Sequence, residues 1–175
     1  MGNQDNEIRI YVACLASYNN GILHGRWIAA RQGVDGIWRD ASQMLLKSPA
    51  EYAEEWAIHD YEGFEGVYIS EHEGFESVAE IAAFIEKHGA LGGKVLDYYG
   101  DLESAKTALE DHYAGEYKTV ADFAEEITTE TTETTEIPEN LRFYIDYDHM
   151  ARDLEINDIL TIETAFREVH IFWAH

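Results

Sequence analysis

Apolar and polar residues alternate strictly over residues 8–14, Ile-Arg-Ile-Tyr-Val-Ala-Cys, so a strand there puts Ile8, Ile10, Val12 and Cys14 on one face. The turn signal Asn19-Asn20-Gly21 follows, and residues 24–30, His-Gly-Arg-Trp-Ile-Ala-Ala, read as a second strand. A short helix is expected from Asp40 to Lys47, stopped by Ser48-Pro49, and a third strand from Glu55 to Tyr61 before Gly63. These elements make a small α+β unit ending near residue 65, at the Gly- and Glu-rich stretch 62–66.

The period then changes. Val78, Ile81, Ala82 and Ile85 recur at helical spacing, behind a capping box formed by Ser77 and Glu80 and ahead of a stop at Gly89. A short helix through residues 95–99 is expected next. Asp101 is placed to cap another, with Leu102, Ala105, Leu109 and His112 as its buried stripe and Glu103, Glu110 and Asp111 on the exposed side. In the last third, residues 113–118 read as a strand and Thr119 as the cap of a helix buried through Val120, Phe123, Ala124 and Ile127. Residues 128–136 repeat Thr-Thr-Glu three times, a β-branched acidic run expected to form a loop. Pro138 suits the first turn of a long helix to about Leu154, and a hairpin over 159–164 and 169–173 closes the chain.

Charge alters this picture more than any motif. The 175 residues carry 35 Asp+Glu against 12 Lys+Arg, a formal net charge of −23. Residues 1–60 hold 8 acids and 5 bases; residues 61–175 hold 27 acids and 7 bases, so the excess lies almost wholly beyond the first unit. A nucleic-acid binder needs a basic stripe to displace counterions from phosphate, and an anionic-lipid binder needs a basic face; both classes are excluded. The chain is nonetheless 46% hydrophobic and 13% aromatic with two prolines, which distinguishes it from charge-driven disordered segments. Self-repulsion favours an elongated arrangement. A single cysteine, Cys14, forms no internal disulfide and fits a reducing compartment. The opening heptad lacks the basic and apolar parts of a signal peptide, and no apolar run reaches the ~20 residues that span a bilayer, so a soluble, cytoplasmic protein is expected.

Candidate chemistry is sparse. No phosphate-cradling glycine loop, paired cysteines or H-E-x-x-H motif occurs. His149, in Asp146-Tyr147-Asp148-His149, sits on an expected helix with Asp148 on a different side, which argues against a metal; no calcium loop is present, and no cofactor is implied. Cys14 belongs to a core face rather than to a nucleophile. With 35 acids, carboxylate pairs are too common for one to stand out. An acidic face on any one helix is ordinarily solvated surface. Summed over consecutive elements it is more: duplex DNA carries one charge per ~1.7 Å, so 20 to 23 charges equal the phosphates of roughly one helical turn. Acids four apart on a helix rise ~6 Å, a phosphate-like spacing. Such a surface offers a DNA-like field to a basic groove.

Four strings carry a family resemblance: residues 10–15 (Ile-Tyr-Val-Ala-Cys-Leu), 23–28 (Leu-His-Gly-Arg-Trp-Ile), 54–64 (Glu-Glu-Trp-Ala-Ile-His-Asp-Tyr-Glu-Gly-Phe) and 137–147 (Ile-Pro-Glu-Asn-Leu-Arg-Phe-Tyr-Ile-Asp-Tyr). In these the chain resembles the ArdA-type antirestriction proteins over nearly its whole length. The resemblance implies a DNA mimic that inhibits type I restriction–modification enzymes, with the acidic antirestriction motif matching Leu102 to Gly115. It also implies an elongated α+β chain of three small domains that dimerises through the C-terminal one. On this chain these are 1–65 (three-stranded antiparallel sheet plus helix), 66–112 (helical) and 113–175 (α+β, with the dimer interface through Val169, Ile171, Phe172 and Trp173). The Thr-Thr-Glu repeat has no counterpart in it.

The expected function is non-enzymatic: occupation of the DNA groove of the restriction–modification complex, through its specificity and methyltransferase subunits, blocking cleavage and methylation competitively. The candidate phosphate surrogates are Asp97, Asp101, Glu103, Glu110, Asp111, Glu116, Asp122, Glu125 and Glu126. A second set comprises Glu62, Glu65, Glu71, Glu73, Glu76, Glu80 and Glu86, while Arg26, Trp27, Trp56 and Phe64 are read as structural and Tyr98 and Tyr99 as core. Two rivals are an acidic module or chaperone for basic DNA-binding proteins, and a metal-dependent hydrolase built on clustered carboxylates.

Overall fold

Period-2 alternation makes β1 (Arg9–Cys14) the central strand of a three-stranded antiparallel sheet in the order β2-β1-β3, with β2 at Gly25–Ala29 and β3 at Trp56–Glu62. Ile8, Ile10, Val12 and Cys14 are all buried, as the alternation requires. The computed structural model describes residues 7–131 and 136–175, and the chain divides into two units, Met1–Asp97 and Tyr98–His175. Both combine a three-stranded antiparallel sheet with helices, so the fold class is α+β.

In the first unit a short helix, α1 (Leu15–Asn19), occupies the segment before the turn, and α2 begins at Gly33 rather than Asp40, running to Leu46. Gly33 and Gly36 depress helix propensity on paper. Packing overrides that, because Gly36, Ile37, Ala41 and Met44 form its buried stripe. Trp56, stacked on Phe75 at 3.9 Å, and Trp38, edge-on to both, close the core, with Phe64 only 2% exposed. Arg9 lies over Trp27 at 4.5 Å, and Arg26 reaches Asp40 at 3.8 Å. Cys14 is fully buried in core, its Sγ 3.3 Å from Ser48 Oγ.

Helix α3 (Phe75–Tyr99) starts two residues before Ser77, so the expected capping box is absent; the Ser77 hydroxyl instead donates to Glu73 at 2.6 Å. Val78, Ile81, Ala82 and Ile85 are buried, and Gly89 breaks the helix with φ 63° and ψ −149° before it resumes.

The second unit has strand order β4-β6-β5, with β4 at Tyr113–Tyr117, β5 at Ile159–Ala165 and β6 at Glu168–Trp173. On one face Phe123, Ile159, Val169 and Ile171 form the core, joined by Val120, Ile127 and Leu154 from α5 (Val120–Thr131) and α6 (Tyr147–Asn157). Thr119 caps α5 as expected, its hydroxyl accepting from Asp122 N–H at 3.1 Å.

Four expectations are corrected here. The loop placed at 128–136 is helix as far as Thr131: packing of Val120, Phe123 and Ile127 on the core holds α5, and the hydroxyls of Thr128, Thr129 and Thr131 find acceptors in carbonyls four residues earlier; residues 132–135 lie outside the described residues. The long helix from Pro138 is split into a 3₁₀ segment, Glu139–Tyr144, and α6, since Asp146 turns the chain to accept from His149 N–H at 2.9 Å. The stripe Leu102, Ala105, Leu109, His112 gives way to Ala105 and Ala108, because α4 (Leu102–Thr107) runs into a π turn at Ala108–His112 that breaks the 3.6 period. And of Val169, Ile171, Phe172 and Trp173, read as an interface, the first three are 5%, 0% and 0% exposed, Val169 and Ile171 within the unit's core, while Trp173 is 38% exposed.

Backbone proximity sets one test of this packing. A Cβ on Gly93 would lie 2.3 Å from the Cβ of Glu65 and 3.0 Å from its carbonyl oxygen. Gly93→Ala is therefore expected to destabilise the protein by about 1–3 kcal/mol, read as a lower urea midpoint; an unchanged midpoint would contradict the close approach.

Candidate acidic interface

Between Asp97 and Thr131 the chain places ten acids and two lysines on a succession of short elements. Asp97 is exposed at the end of the first unit. Asp101 is the N-cap of α4, accepting from Ser104 N–H at 2.8 Å, and that bond holds its carboxyl below the usual carboxylate range. Glu103 follows in the first turn of α4.

The π turn carries Glu110 and Asp111. One extra residue in the turn displaces both around the axis from where a continuous α-helix would put them, and such turns recur at functional sites. A bulge between Tyr113 and Gly115, with Gly115 at φ +130°, re-aims β4 just before Glu116. On α5, Asp122, Glu125 and Glu126 follow at helical spacing on its exposed side.

All nine candidate acids are exposed, and none forms an ion pair with another described residue. Glu126 does take a hydrogen bond from Tyr117, whose phenol is pushed up first by burial and then by that bond and the charges of Glu126 and Glu130. The second set differs in kind. Glu62 pairs with Arg9 at 2.8 Å, Glu86 with Arg31 at 4.0 Å and Glu71 with His72 at 3.0 Å, and Glu73 is held by Ser77. Tyr98, expected in the core, is 61% exposed; Tyr99 is half-buried beside it, its phenol pushed up by burial and by Tyr98.

Sequence reasoning missed a cluster behind this surface. Tyr113, in contact with Phe172, places its hydroxyl 2.8 Å from Nδ1 of His170, whose Nε2 lies 3.1 Å from the Thr164 hydroxyl, which donates to Glu168 at 3.0 Å. The directions agree for a neutral imidazole protonated on Nε2: it donates to Thr164 and accepts from Tyr113. Burial pulls the His170 pKa below its ordinary 6.5, against the charges of Glu116 and Glu168. No period marks this cluster, since it joins residues up to 57 apart in sequence. Among the described residues no group of three or more His, Cys, Asp or Glu could hold a metal, and His149 is exposed, 3.7 Å from Asp153.

The family model for antirestriction protein (ArdA) matches residues 10–168. The chain belongs to the ArdA antirestriction protein family. All nine acids lie within the matched span, and ArdA membership implies an antirestriction function and hence an interaction with restriction enzymes. No match is found among the curated proteins. No described helix of this ArdA-family chain is long and apolar enough to cross a membrane.

The His170 cluster makes stability pH-dependent with a definite sign. Because the folded pKa lies below the unfolded one, protons bind the unfolded chain first as pH falls, and stability drops as pH is lowered through about 6.5. Denaturant midpoints are expected to fall between about pH 7 and 5, and to fall less steeply in His170→Gln; equal slopes would remove His170 as the cause.

Proposed function

We propose that this ArdA-family chain is a non-enzymatic DNA mimic that occupies the DNA groove of type I restriction–modification enzymes and competitively blocks both restriction and modification. The observation that carries the reading is that Asp97, Asp101, Glu103, Glu110, Asp111, Glu116, Asp122, Glu125 and Glu126 are all exposed and free of ion pairs with described residues. A protein surface built for solubility alone intersperses both signs. A surface held unneutralised is complementary to the lysines and arginines that line a DNA groove. The partners in this reading are the specificity and methyltransferase subunits, met in the cytoplasm. The three-part division 1–65, 66–112 and 113–175 belongs to it as well.

Dimerisation through the last third is part of the same proposal, and its support has moved. With Val169, Ile171 and Phe172 buried, the exposed apolar residues there include Phe143 at 90% exposure, Tyr144, Ile156 and Phe166, together with Leu141 and Trp173. Light scattering at micromolar concentration and moderate salt is expected to give twice the 20.0 kDa chain mass; a monomer mass would count against the dimer.

A row of phosphate surrogates distributes its attraction over many exposed charges, each worth only ~0.2–1 kcal/mol. Glu103→Gln alone should weaken inhibition of a type I enzyme less than about tenfold, because tenfold needs ~1.4 kcal/mol. Converting Glu103, Glu110, Asp111, Asp122, Glu125 and Glu126 together to amides should cost far more and remove much of the salt dependence. Inhibition measured at two salt concentrations decides it: complete loss from one amide in a folded dimer would defeat the mimic reading, since that is how an essential catalytic carboxylate behaves.

A further inference from the structure

The first unit contains a cleft of about 440 Å³ whose walls come from three separated segments. Tyr18 enters from α1, His59 and Tyr61 from β3, and Tyr68 and Glu71 from the stretch that follows it. Ile58 and Ile69, each 3% exposed, form its floor. Two backbone features assemble it. A bulge leaves His59 without a partner on β1, because Tyr11 pairs with Asp60 while Val12 pairs with Ile58. The Ile58 N–H donates to the Glu71 carbonyl at 2.9 Å, pinning the Tyr68–Glu71 stretch beside β3.

We infer that this cleft is a binding site for the guanidinium of an arginine side chain presented by a basic protein partner. Three phenol rings and an imidazole surround it, and aromatic faces attract a cation through their quadrupole. Tyr18 and Tyr68 are 55% and 75% exposed, so both side chains are accessible to a ligand. The Tyr18 ring is set edge-on to His59, centroids 4.9 Å apart at 78°, which fixes its orientation.

The cleft carries one carboxylate, Glu71, with His72 Nε2 3.0 Å from its Oε1, and no lysine or arginine is among the lining residues. Exposed Asp60 on β3 adds a second negative charge nearby in sequence. An anion is therefore disfavoured there. Among cations, a guanidinium is planar and weakly hydrated, stacks on aromatic faces and pairs with a carboxylate through two N–H groups, whereas an ammonium keeps its hydration shell.

The site shares no lining residue with the acidic row at 101–126 and relies on the proposed function only for the owner of the arginine. Its chemistry is tested without any restriction enzyme, so failure here leaves the mimic reading standing, and failure of that reading leaves this test valid. The full-length protein is titrated with N-acetyl-arginine amide while the tyrosine ring signals are followed by NMR. Saturable shifts confined to Tyr18, Tyr61 and Tyr68 are expected. The citrulline analogue, of the same shape without the charge, should give none. Tyr68→Ala and Glu71→Gln, both at exposed positions and so expected to keep the wild-type melting temperature, should each weaken binding about two- to fivefold. Absence of saturable shifts, an equal response to citrulline, an equal response to the lysine amide, or undiminished binding by both folded variants would each overturn the assignment.

Discussion

The constraint on which this molecule rests is that an unpaired carboxylate cannot be buried. Moving one from water into a protein interior costs several kcal/mol unless a cation accompanies it, and the chain holds nearly three acids for every base. The acids must therefore lie outside, and the cores must be closed by uncharged side chains alone. Among the described residues only Ser17 and His170 are buried and polar, and each is hydrogen-bonded: Ser17 to Ser48, His170 to Tyr113 and Thr164. Sheets three strands wide, with isoleucine, valine and phenylalanine on their inner faces, supply enough apolar surface to do this while leaving a large perimeter for charge.

How far the sequence foretold this depends on how local each cause is. β1 is marked by alternation and β3 and the terminal hairpin by short runs of β-branched and aromatic residues, and Asp101 and Thr119 act as caps because capping is a matter of three residues. Causes with no sequence period were opaque. The threonines at 128–131 looked unsuited to a helix, yet their hydroxyls bond to its carbonyls; Asp146 looked like helix interior and proved to start a new helix. The π turn at Ala108–His112 leaves no trace in the hydrophobic pattern, because it is defined by a shift in hydrogen bonding. In the candidate surface the residue types were legible, since exposed acids are plain in any sequence. The His170 cluster and the tyrosine cleft were not, because each joins residues brought together only by sheet pairing.

Family membership and charge distribution converge from different directions. The match over residues 10–168 implies antirestriction, and the proposed way to achieve it rests on nine exposed carboxylates without ion pairs to described residues. The two lysines at 106 and 118 are too few to neutralise the ten acids around them. In that proposal, long-range attraction would bring a basic partner in quickly and shorter-range contacts would decide how well it stays.

Helix α5 shows what such a surface demands of the fold. Its aligned peptide groups leave about half a negative charge at the C-terminal end, where lysine or arginine would normally help. Here the last turn has no basic residue and carries Glu130. The backbone dipole and the Glu130 carboxylate thus carry the same sign at that end, a placement that weakens the helix by roughly 0.3–1 kcal/mol. In the proposed complex, a cationic partner seated there would relieve dipole and carboxylate together, linking occupancy to the rigidity of α5. In the free protein that repulsion at the end of α5 is eased only by what the solvent supplies, so the stability of α5 is tied to the salt around it.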